Sequence, residues 1–132
     1  FDCVDYRGVY NRKELKEILE QSSLGASTLL PVGQYKDMDN LATKVYEYMS
    51  MALPVMLSDY PYEKGMIDKY GFGITVDAQN PSQMAEAILE LKNDLERCKR
   101  LGENGRKAVK EVFNWDIEEA KLFRFYEEIC GE

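Results

Sequence analysis

The feature that most constrains the fold is a run in which an amphipathic helix leads through a proline into a short apolar strand. It spans residues 40–58 and reads NLATKVYEYMSMALPVMLS. Apolar side chains recur there at steps of three and four, as on the buried side of an α-helix: Leu41, Val45, Tyr48, Met49 and Ala52. After Pro54 comes Val55-Met56-Leu57, a run typical of a strand buried on both faces. The pattern predicts a helix that feeds a central strand.

The first turn of this helix is polar. Asn40 precedes the apolar stripe, so we expect its side chain to cap the helix. Thr43, Lys44 and Glu47 share another face. A helix N-terminus favours phosphate, and a carboxylate one turn further can accept hydrogen bonds from sugar hydroxyls. The alternative interpretation is an exposed ion pair between Lys44 and Glu47.

Strand and helix patterns alternate around this run. Strands are predicted at residues 1–6, 24–30, 54–58 and 72–76, the second of them buried on both faces. Helices are predicted to begin near Asn11, Asn40, Tyr60 and Asn80, with capping pairs at Asn11–Glu14 and Asn80–Gln83. Gly71 is expected to end the third of these helices. The order predicts an α/β fold with a parallel sheet covered on both faces.

Three helices are predicted to complete the chain. The helix that begins at Asn80 carries one core-facing seam: Met84, Ile88, Leu91, Leu95 and Cys98. A short helix follows from about Glu103 to Val112, and Asn114 begins the last one. The apolar residues of this last helix cover more than one face, so we expect it to pack on this domain and on a second partner outside this sequence.

Composition excludes several classes of function. The net charge of −7 argues against a general nucleic-acid or anionic-membrane surface, and no apolar run approaches the roughly 20 residues that span a bilayer. The absence of histidine excludes a Ser-His-Asp triad or a histidine-ligated zinc site within this chain. Cys3, Cys98 and Cys130 lack metal-ligand spacing and suit reduced thiols in a cytosol. The chain opens on Phe1 without an initiator Met, so we expect a fragment of a longer protein.

Ordered motifs along nearly the whole chain resemble those of one enzyme family. They are Gly8-Val9, Thr43-Lys44-Val45-Tyr46-Glu47-Tyr48-Met49, Leu53-Pro54-Val55, Tyr70-Gly71-Phe72-Gly73-Ile74, Val76-Asp77, Leu101-Gly102, Asn104-Gly105-Arg106 and Phe113-Asn114-Trp115. This combination resembles the carboxyl-terminal, nucleotide-sugar-binding domain of GT-B glycosyltransferases, in the retaining group often called family 4, or glycosyl transferases group 1. The resemblance implies a Rossmann-like parallel sheet flanked by helices, the donor-binding half of a GT-B fold without its first β/α units. Residues 1–132 would then be a single partial domain.

The family implies transfer of a sugar, of the hexosyl type, from a nucleoside diphosphate to an acceptor hydroxyl on a glycan, polysaccharide or lipid-linked sugar. No metal or other cofactor is expected. The helix at 114–130 is expected to pack also on an amino-terminal acceptor domain, and this chain alone is expected to be inactive. The resemblance implies a cytoplasmic protein without a transmembrane segment, in which basic residues between 99 and 110 either touch anionic lipid at the inner membrane face or form a solvated surface.

The resemblance also implies individual roles in donor binding. Glu47 would hold the ribose, and backbone N–H groups near Thr43 and Lys44 would meet the diphosphate. Neighbouring donor-binding residues would be Asn40, Leu41 and Ala42. The turn Gly8-Val9-Tyr10 resembles the part that lines the nucleobase, the alternative being a plain β–α turn.

Two positions depart from the family pattern. Asp39 stands where a glutamate contacts the transferred sugar, so it is a catalytic candidate whose alternative is a loop or cap role. The residues Asp59-Tyr60-Pro61-Tyr62 replace the usual Gly-Gly turn. Two other functions remain open at this point: a nucleotide-sugar epimerase of GT-B-like fold, and a non-catalytic binding or regulatory module of flavodoxin-like shape.

Overall fold

Helices and short parallel strands alternate in the computed structural model, which describes residues 3–33 and 35–131. The strands are β1 (Gly25–Ser27), β2 (Val55–Ser58) and β3 (Gly73–Val76). The helices are α1 (Arg12–Glu20), α2 (Thr43–Ser50), α3 (Pro61–Tyr70), α4 (Pro81–Asn93), α5 (Leu95–Glu111) and α6 (Trp115–Cys130), and Tyr35–Asp37 form one 3-10 turn.

The sheet is parallel, with β2 between β1 and β3. Met56 of β2 lies opposite Ala26 on one side and Ile74 on the other. All four residues of β2 are buried, and successive side chains point to opposite faces. Both faces of this strand are therefore covered, as the apolar run before Asp59 predicts.

The hydrophobic core joins β2 to three helices. Its largest members come from α2, β2 and the residue before β3, and Ala108 of α5 and Met66 of α3 complete its edge. The buried side chains of this cluster are Leu41, Val45, Met49, Val55, Leu57, Met66, Phe72 and Ala108. The predicted parallel sheet flanked by helices is confirmed by this arrangement.

Two predicted strands differ from the structure. Residues 3–6 of the first are not in a strand, and residues 1 and 2 lie outside the described part. β1 is an edge strand of the sheet, and residues 3–6 do not pair with it. The second strand is shorter than predicted, and its middle residue Ala26 is exposed, so it is not buried on both faces.

The helix caps agree with the sequence prediction at several ends. Asn11 and Glu14 form a complete capping box, and the Asn80 side chain accepts from the Gln83 backbone N–H at 3.0 Å. Gly71 ends α3 in the left-handed conformation (φ 63°), and Asn114 caps α6. These caps depend only on local sequence, which is why the pattern locates them.

The predicted seam through Leu95 and Cys98 is wrong, because the helix breaks at Asp94. The Asp94 side chain accepts from the Arg97 backbone N–H at 2.9 Å and so begins a new helix, α5, at Leu95. Leu95 is 76% exposed, and of the five seam residues only Leu91 belongs to the buried core. The predicted helix at Glu103–Val112 is thus the second half of the longer α5.

The last helix, α6, buries none of its residues. Ile117 is half-buried, whereas most of the other apolar side chains of this helix are exposed. The exposed side chains are Trp115, Leu122, Phe123, Phe125, Tyr126 and Ile129. Within the described part of the chain, no helix combines the length and apolar character needed to cross a membrane.

Helix α2 ends in a strained conformation at Ala52, whose φ of +56° is one that residues with a Cβ rarely adopt. The Ala52 N–H donates to the Met49 carbonyl and the Leu53 N–H to the Tyr48 carbonyl, both at 3.0 Å. This is the Schellman arrangement, in which glycine normally occupies the left-handed position. A Cβ on Gly102 of α5 would collide with the Ala52 carbonyl, so α5 packs directly on this turn.

We expect Ala52→Gly to raise the free energy of unfolding by about 1 kcal/mol, because it relieves the left-handed strain. The matched control is Ala85→Gly on the exposed side of α4, which should lower it by about 0.5–1 kcal/mol. Urea unfolding of both variants measures the two effects. A loss of stability in Ala52→Gly as large as that in the control would contradict the assignment.

Candidate functional site

The first turn of α2 lies at the edge of the sheet where the strands end. Because β1 and β2 are parallel and α2 connects them, α2 runs back across the sheet and begins at the carboxyl ends of both strands. In open α/β sheets this crevice is where ligands bind. The helix begins at Thr43, three residues after the predicted cap Asn40.

Helix α2 begins without a side-chain cap. The predicted capping role of Asn40 is wrong, because the cap position is Ala42, which has no side-chain acceptor. Leu41 is only 5% exposed and belongs to the core, and Ala42 after it is extended, so the helix begins only beyond these two residues. The Val45 N–H reaches the Ala42 carbonyl at 2.8 Å. Among described residues, nothing accepts from the backbone N–H groups of Thr43 and Lys44, both of them exposed.

A pocket of about 50 Å³ lies beside this turn. It brings together three of the predicted donor-binding residues, Asn40, Leu41 and Ala42, with the ends of β1 and β2. The remaining lining residues are Ser27, Leu29, Tyr35, Met38, Val45, Leu57 and Glu63. We refer to this space as the strand-end pocket.

Glu63 is the single ionisable carboxylate among the described residues that line the strand-end pocket. It lies in the first turn of α3 and is 8% exposed. Burial raises the pKa of its carboxyl above the ordinary value of 4.5, and a hydrogen bond from its own backbone N–H opposes this. Among residues with described side chains, none forms an ion pair with Glu63.

Two hydroxyl side chains fix the segment between β1 and the 3-10 turn. The Ser58 Oγ accepts from the Leu29 N–H and donates to the Leu29 carbonyl, both at 2.8 Å. The Tyr60 hydroxyl donates to the same carbonyl at 2.7 Å. Leu29 lines the strand-end pocket, so these bonds hold one wall of the pocket against the end of β2.

Glu47 lies outside the strand-end pocket. It is exposed and lines a shallow groove of about 200 Å³ between α1 and α2, together with Arg12, Leu15, Lys16, Leu19, Ser50 and Met51. The ion pairs formed by described residues do not include one between Lys44 and Glu47, which was the alternative interpretation of this face. The Glu47 carboxylate is therefore open to a ligand in a groove that also presents two cations.

The predicted nucleobase turn lies in a third region. Gly8 has a φ of +81°, and Val9 is 97% exposed. Of the three turn residues, only Tyr10 lines a larger cleft, of about 490 Å³, with Ile18, Gln21 and residues 4–7. The structure does not bring Gly8, Val9 or Tyr10 to the strand-end pocket.

Asp39 is exposed in the bend before Asn40 and does not line the strand-end pocket. Sequence reasoning missed Glu63, which lines the pocket, and also Ser58 and Tyr60, which hold the Leu29 wall in place. The one signal was the replacement of a Gly-Gly turn by Asp59-Tyr60-Pro61-Tyr62. In the structure Tyr60 is the cap position of α3 and Pro61 its first residue, which places Glu63 in the first turn.

The arrangement suits binding of a phosphorylated, hydroxyl-rich ligand. Free N–H groups and the helix dipole at α2 favour phosphate, while Glu47 and Glu63 can accept hydrogen bonds from hydroxyls. The chain contains no histidine. Within residues 3–33 and 35–131, no cluster of three or more acidic or cysteine side chains could hold a metal ion.

Comparisons with known proteins identify one family. The model of the family described as glycosyl transferases group 1 matches residues 3–108. A stretch of 64 residues, 48% of this chain, is 39% identical to an uncharacterized glycosyltransferase of Methanocaldococcus jannaschii and covers 18% of that protein. The fold matches sucrose-phosphate synthase from Thermosynechococcus elongatus with a TM-score of 0.80 at 20% identity.

The structural match covers 98% of this chain and 31% of the synthase chain. The matched parts therefore cover less than a third of either protein. The resemblance to glycosyl transferases group 1 and the predicted GT-B, Rossmann-like fold are both confirmed. The comparisons leave the individual site residues as predictions.

We expect Glu63→Gln to be more stable than the natural chain at neutral pH. The native pKa of Glu63 is raised, so the native state keeps a proton that the unfolded state releases, and stability falls as pH rises from about the ordinary 4.5 through the native pKa. The side-chain amide of the Glu63→Gln variant does not titrate in this range. The advantage of the variant should therefore be smallest near pH 4 and grow towards pH 7 in urea unfolding.

The control is Asp68→Asn on the exposed side of α3, which makes the same charge change. A surface substitution of this kind should change the unfolding free energy by no more than about 0.5 kcal/mol at any pH. A difference between Glu63→Gln and the natural chain that stays constant from pH 4 to 8 would contradict the buried-carboxyl assignment.

Proposed function

The chain belongs to the glycosyl transferases group 1 family, and on that premise we propose that it binds a nucleoside-diphosphate sugar. The sugar, a hexose in this proposal, would be transferred to an acceptor hydroxyl on a glycan, a polysaccharide or a lipid-linked sugar. The observation that carries the proposal is the uncapped first turn of α2 at the strand-end edge of the sheet. Its free N–H groups, at Thr43 and Lys44, would bind the diphosphate.

Binding at this turn also provides the chemistry of transfer. As the bond between sugar and phosphate breaks, negative charge develops on the departing diphosphate. Fixed backbone donors and the positive end of the helix dipole stabilise that charge without reorganising. The proposed transfer uses no metal and no other cofactor, and Asn40, Leu41 and Ala42 shape the pocket beside the diphosphate.

Three more residues complete the proposed donor site. Glu47 lies one turn beyond Thr43, where its exposed carboxylate would accept hydrogen bonds from the ribose hydroxyls. The turn Gly8-Val9-Tyr10 would line the nucleobase, with Tyr10 as the contact that borders a cleft. Asp39, exposed just before the strand-end pocket, remains the proposed catalytic contact to the transferred sugar.

We also propose that α6 packs on an amino-terminal acceptor domain of the complete protein. The helix buries no residue against the described part of this chain, yet several large apolar side chains lie along it. Exposed apolar surface of this extent marks an interaction site. Residues 1–132 would be a partial donor-binding domain, inactive alone, in a cytoplasmic protein able to lie at the inner membrane face.

The proposed function is tested first with the complete protein and UDP-, GDP- and ADP-sugars. One of these should raise the melting temperature and yield a glycosylated acceptor. A product epimerised at the sugar, with no acceptor modified, would identify an epimerase. Absence of any saturable nucleotide signal would favour a non-catalytic module and contradict the proposal.

We expect Glu47→Ala to weaken binding of the preferred nucleoside diphosphate by about tenfold or more, since a hydrogen bond to a charged group contributes about 1.5–3 kcal/mol. The side chain is exposed, so the unfolding free energy should change by less than about 0.5 kcal/mol. Titration calorimetry with the complete protein measures the affinity.

Glu103→Ala is the matched control, an exposed glutamate within α5 that lies outside the proposed site. It should bind nucleotide as the natural protein does. Equal affinities of the Glu47 and Glu103 variants would remove Glu47 from the donor site.

The role of α6 gives a separate prediction. Phe123→Ala should change the stability of this chain alone by no more than about 0.5 kcal/mol, because the side chain is 62% exposed. In the complete protein the same change should lower the free energy of unfolding by about 3 kcal/mol, as for a buried phenylalanine. Arg124→Ala, its exposed neighbour, should be nearly neutral in both. An equally small effect of Phe123→Ala in the complete protein would contradict the proposed packing.

A further inference from the structure

The strand-end pocket contains a charge that the proposed donor site does not yet use. The Glu63 side chain is 8% exposed and accepts a hydrogen bond from its own backbone N–H, and among residues with described side chains none forms an ion pair with it. Burying a carboxylate is unfavourable, and this one hydrogen bond leaves acceptor lone pairs of Glu63 without a donor. A glutamine or methionine would fill the same space without this cost. The pocket therefore points to a ligand that offers Glu63 a hydrogen-bond donor.

The pocket is adjacent to the proposed diphosphate site. Its lining includes Asn40, Leu41 and Ala42, and Ala42 is the cap position of α2. A phosphate held by the N–H groups of Thr43 and Lys44 would therefore place whatever it carries over the mouth of this pocket. The diphosphate carries the nucleoside on one side and the sugar on the other. Because Glu47, the proposed ribose contact, lines a separate groove, the group at the strand-end pocket would be the sugar to be transferred.

The size of the pocket limits what can enter it. A volume of about 50 Å³ is too small for a hexose ring but accepts a hydroxyl or hydroxymethyl group, since one water occupies about 30 Å³ in the liquid. The walls include the apolar side chains of Leu29, Leu41, Val45 and Leu57. A small pocket with one carboxylate among several apolar walls suits a hydroxyl that donates to that carboxylate.

The position of Glu63 is fixed by long-range contacts. Tyr60 and Ser58 both bond to Leu29, and α3 packs on the 3-10 turn of residues 35–37. Asp39, by contrast, is exposed outside the pocket. The carboxylate that lines the strand-end pocket itself therefore comes from α3, in addition to Asp39 outside the pocket.

We propose that Glu63 is a specificity-determining residue that accepts a hydrogen bond from one hydroxyl of the transferred sugar. The inference rests on the proposed function and adds the substrate feature that the site selects, namely a free hydroxyl reaching into the strand-end pocket. Nucleotide sugars that lack this hydroxyl leave Glu63 without a hydrogen-bond partner. A site built around a buried acceptor discriminates strongly against such analogues.

The first experiment compares nucleoside diphosphates with their sugar conjugates as ligands of the complete protein. UDP, GDP and ADP are titrated by calorimetry, each beside its sugar conjugate: UDP-glucose, GDP-mannose and ADP-glucose. Glu63→Gln should leave the affinity for the preferred nucleoside diphosphate within about twofold and weaken that for its sugar conjugate by about tenfold. Glu63→Met, which removes both oxygens, should weaken the conjugate further. Asp68→Asn on the same helix should change neither affinity.

The second experiment separates direct contact from a structural role. Nucleotide sugars that each lack one sugar hydroxyl are titrated against the natural protein and Glu63→Gln. Loss of one particular hydroxyl should weaken binding to the natural protein by about tenfold, while the variant should respond to the same loss by no more than about threefold. A residue that only supports the pocket would leave the two proteins equally sensitive to every hydroxyl.

Each outcome decides between the two proposals. If no nucleoside diphosphate binds the natural protein, the proposed function and this inference both fail. If the diphosphate binds but Glu63→Gln binds its sugar conjugate normally, the proposed function stands and the role of Glu63 is refuted. If Glu63→Gln weakens binding of the diphosphate and of its sugar conjugate equally, Glu63 supports α2 and does not contact the sugar. That result also overturns the inference.

Discussion

Burial of β2 on both faces is the constraint on which the rest of the structure depends. A strand whose four residues are all covered needs neighbours on each side and helices on each face. Helix α2 supplies Val45 and Met49 to this core and therefore lies against the sheet. Because α2 leads into β2 from a parallel neighbour, its first turn must lie at the strand-end edge. The position of the proposed phosphate site follows from this packing.

Backbone donors explain how a chain of net charge −7 can serve an anionic ligand. The free N–H groups of Thr43 and Lys44 carry partial charge that is independent of side-chain composition. The acidic side chains near them, Glu47 and Glu63, face separate spaces, a groove against α1 and the strand-end pocket. The phosphate groups of one ligand can thus bind the backbone N–H groups, while its hydroxyl groups donate to the two carboxylates.

The sequence predicted what local patterns determine. The caps at Asn11, Asn80 and Asn114 and the buried run of β2 were all found, because each depends on residues within one or two turns. The start of α2 was misplaced at Asn40, since Leu41 is buried in the core and Ala42 after it is extended. The break at Asp94 was missed because the seam pattern ignores a capping side chain inside the run.

The strand-end pocket could not be predicted in the same way. Ser58 and Tyr60 meet Leu29 across about thirty residues of sequence, and no local pattern reports such a pair. The same holds for residues 3–6, whose pattern predicts a strand but which do not pair with the edge strand β1. A glutamate in the first turn of a helix, as Glu63 is in α3, is explained by dipole complementarity alone. Only the assembled fold shows that it is buried at the site.

The central claim is that the first turn of α2 binds the diphosphate through its backbone. The most direct measurement follows the amide resonances of Thr43 and Lys44 by NMR while UDP, GDP or ADP is added to the complete protein, selectively labelled with ¹⁵N. We predict saturable downfield shifts at both amides with one of these diphosphates and no shift with the corresponding nucleoside. Saturable binding that leaves both amides unmoved would contradict the account.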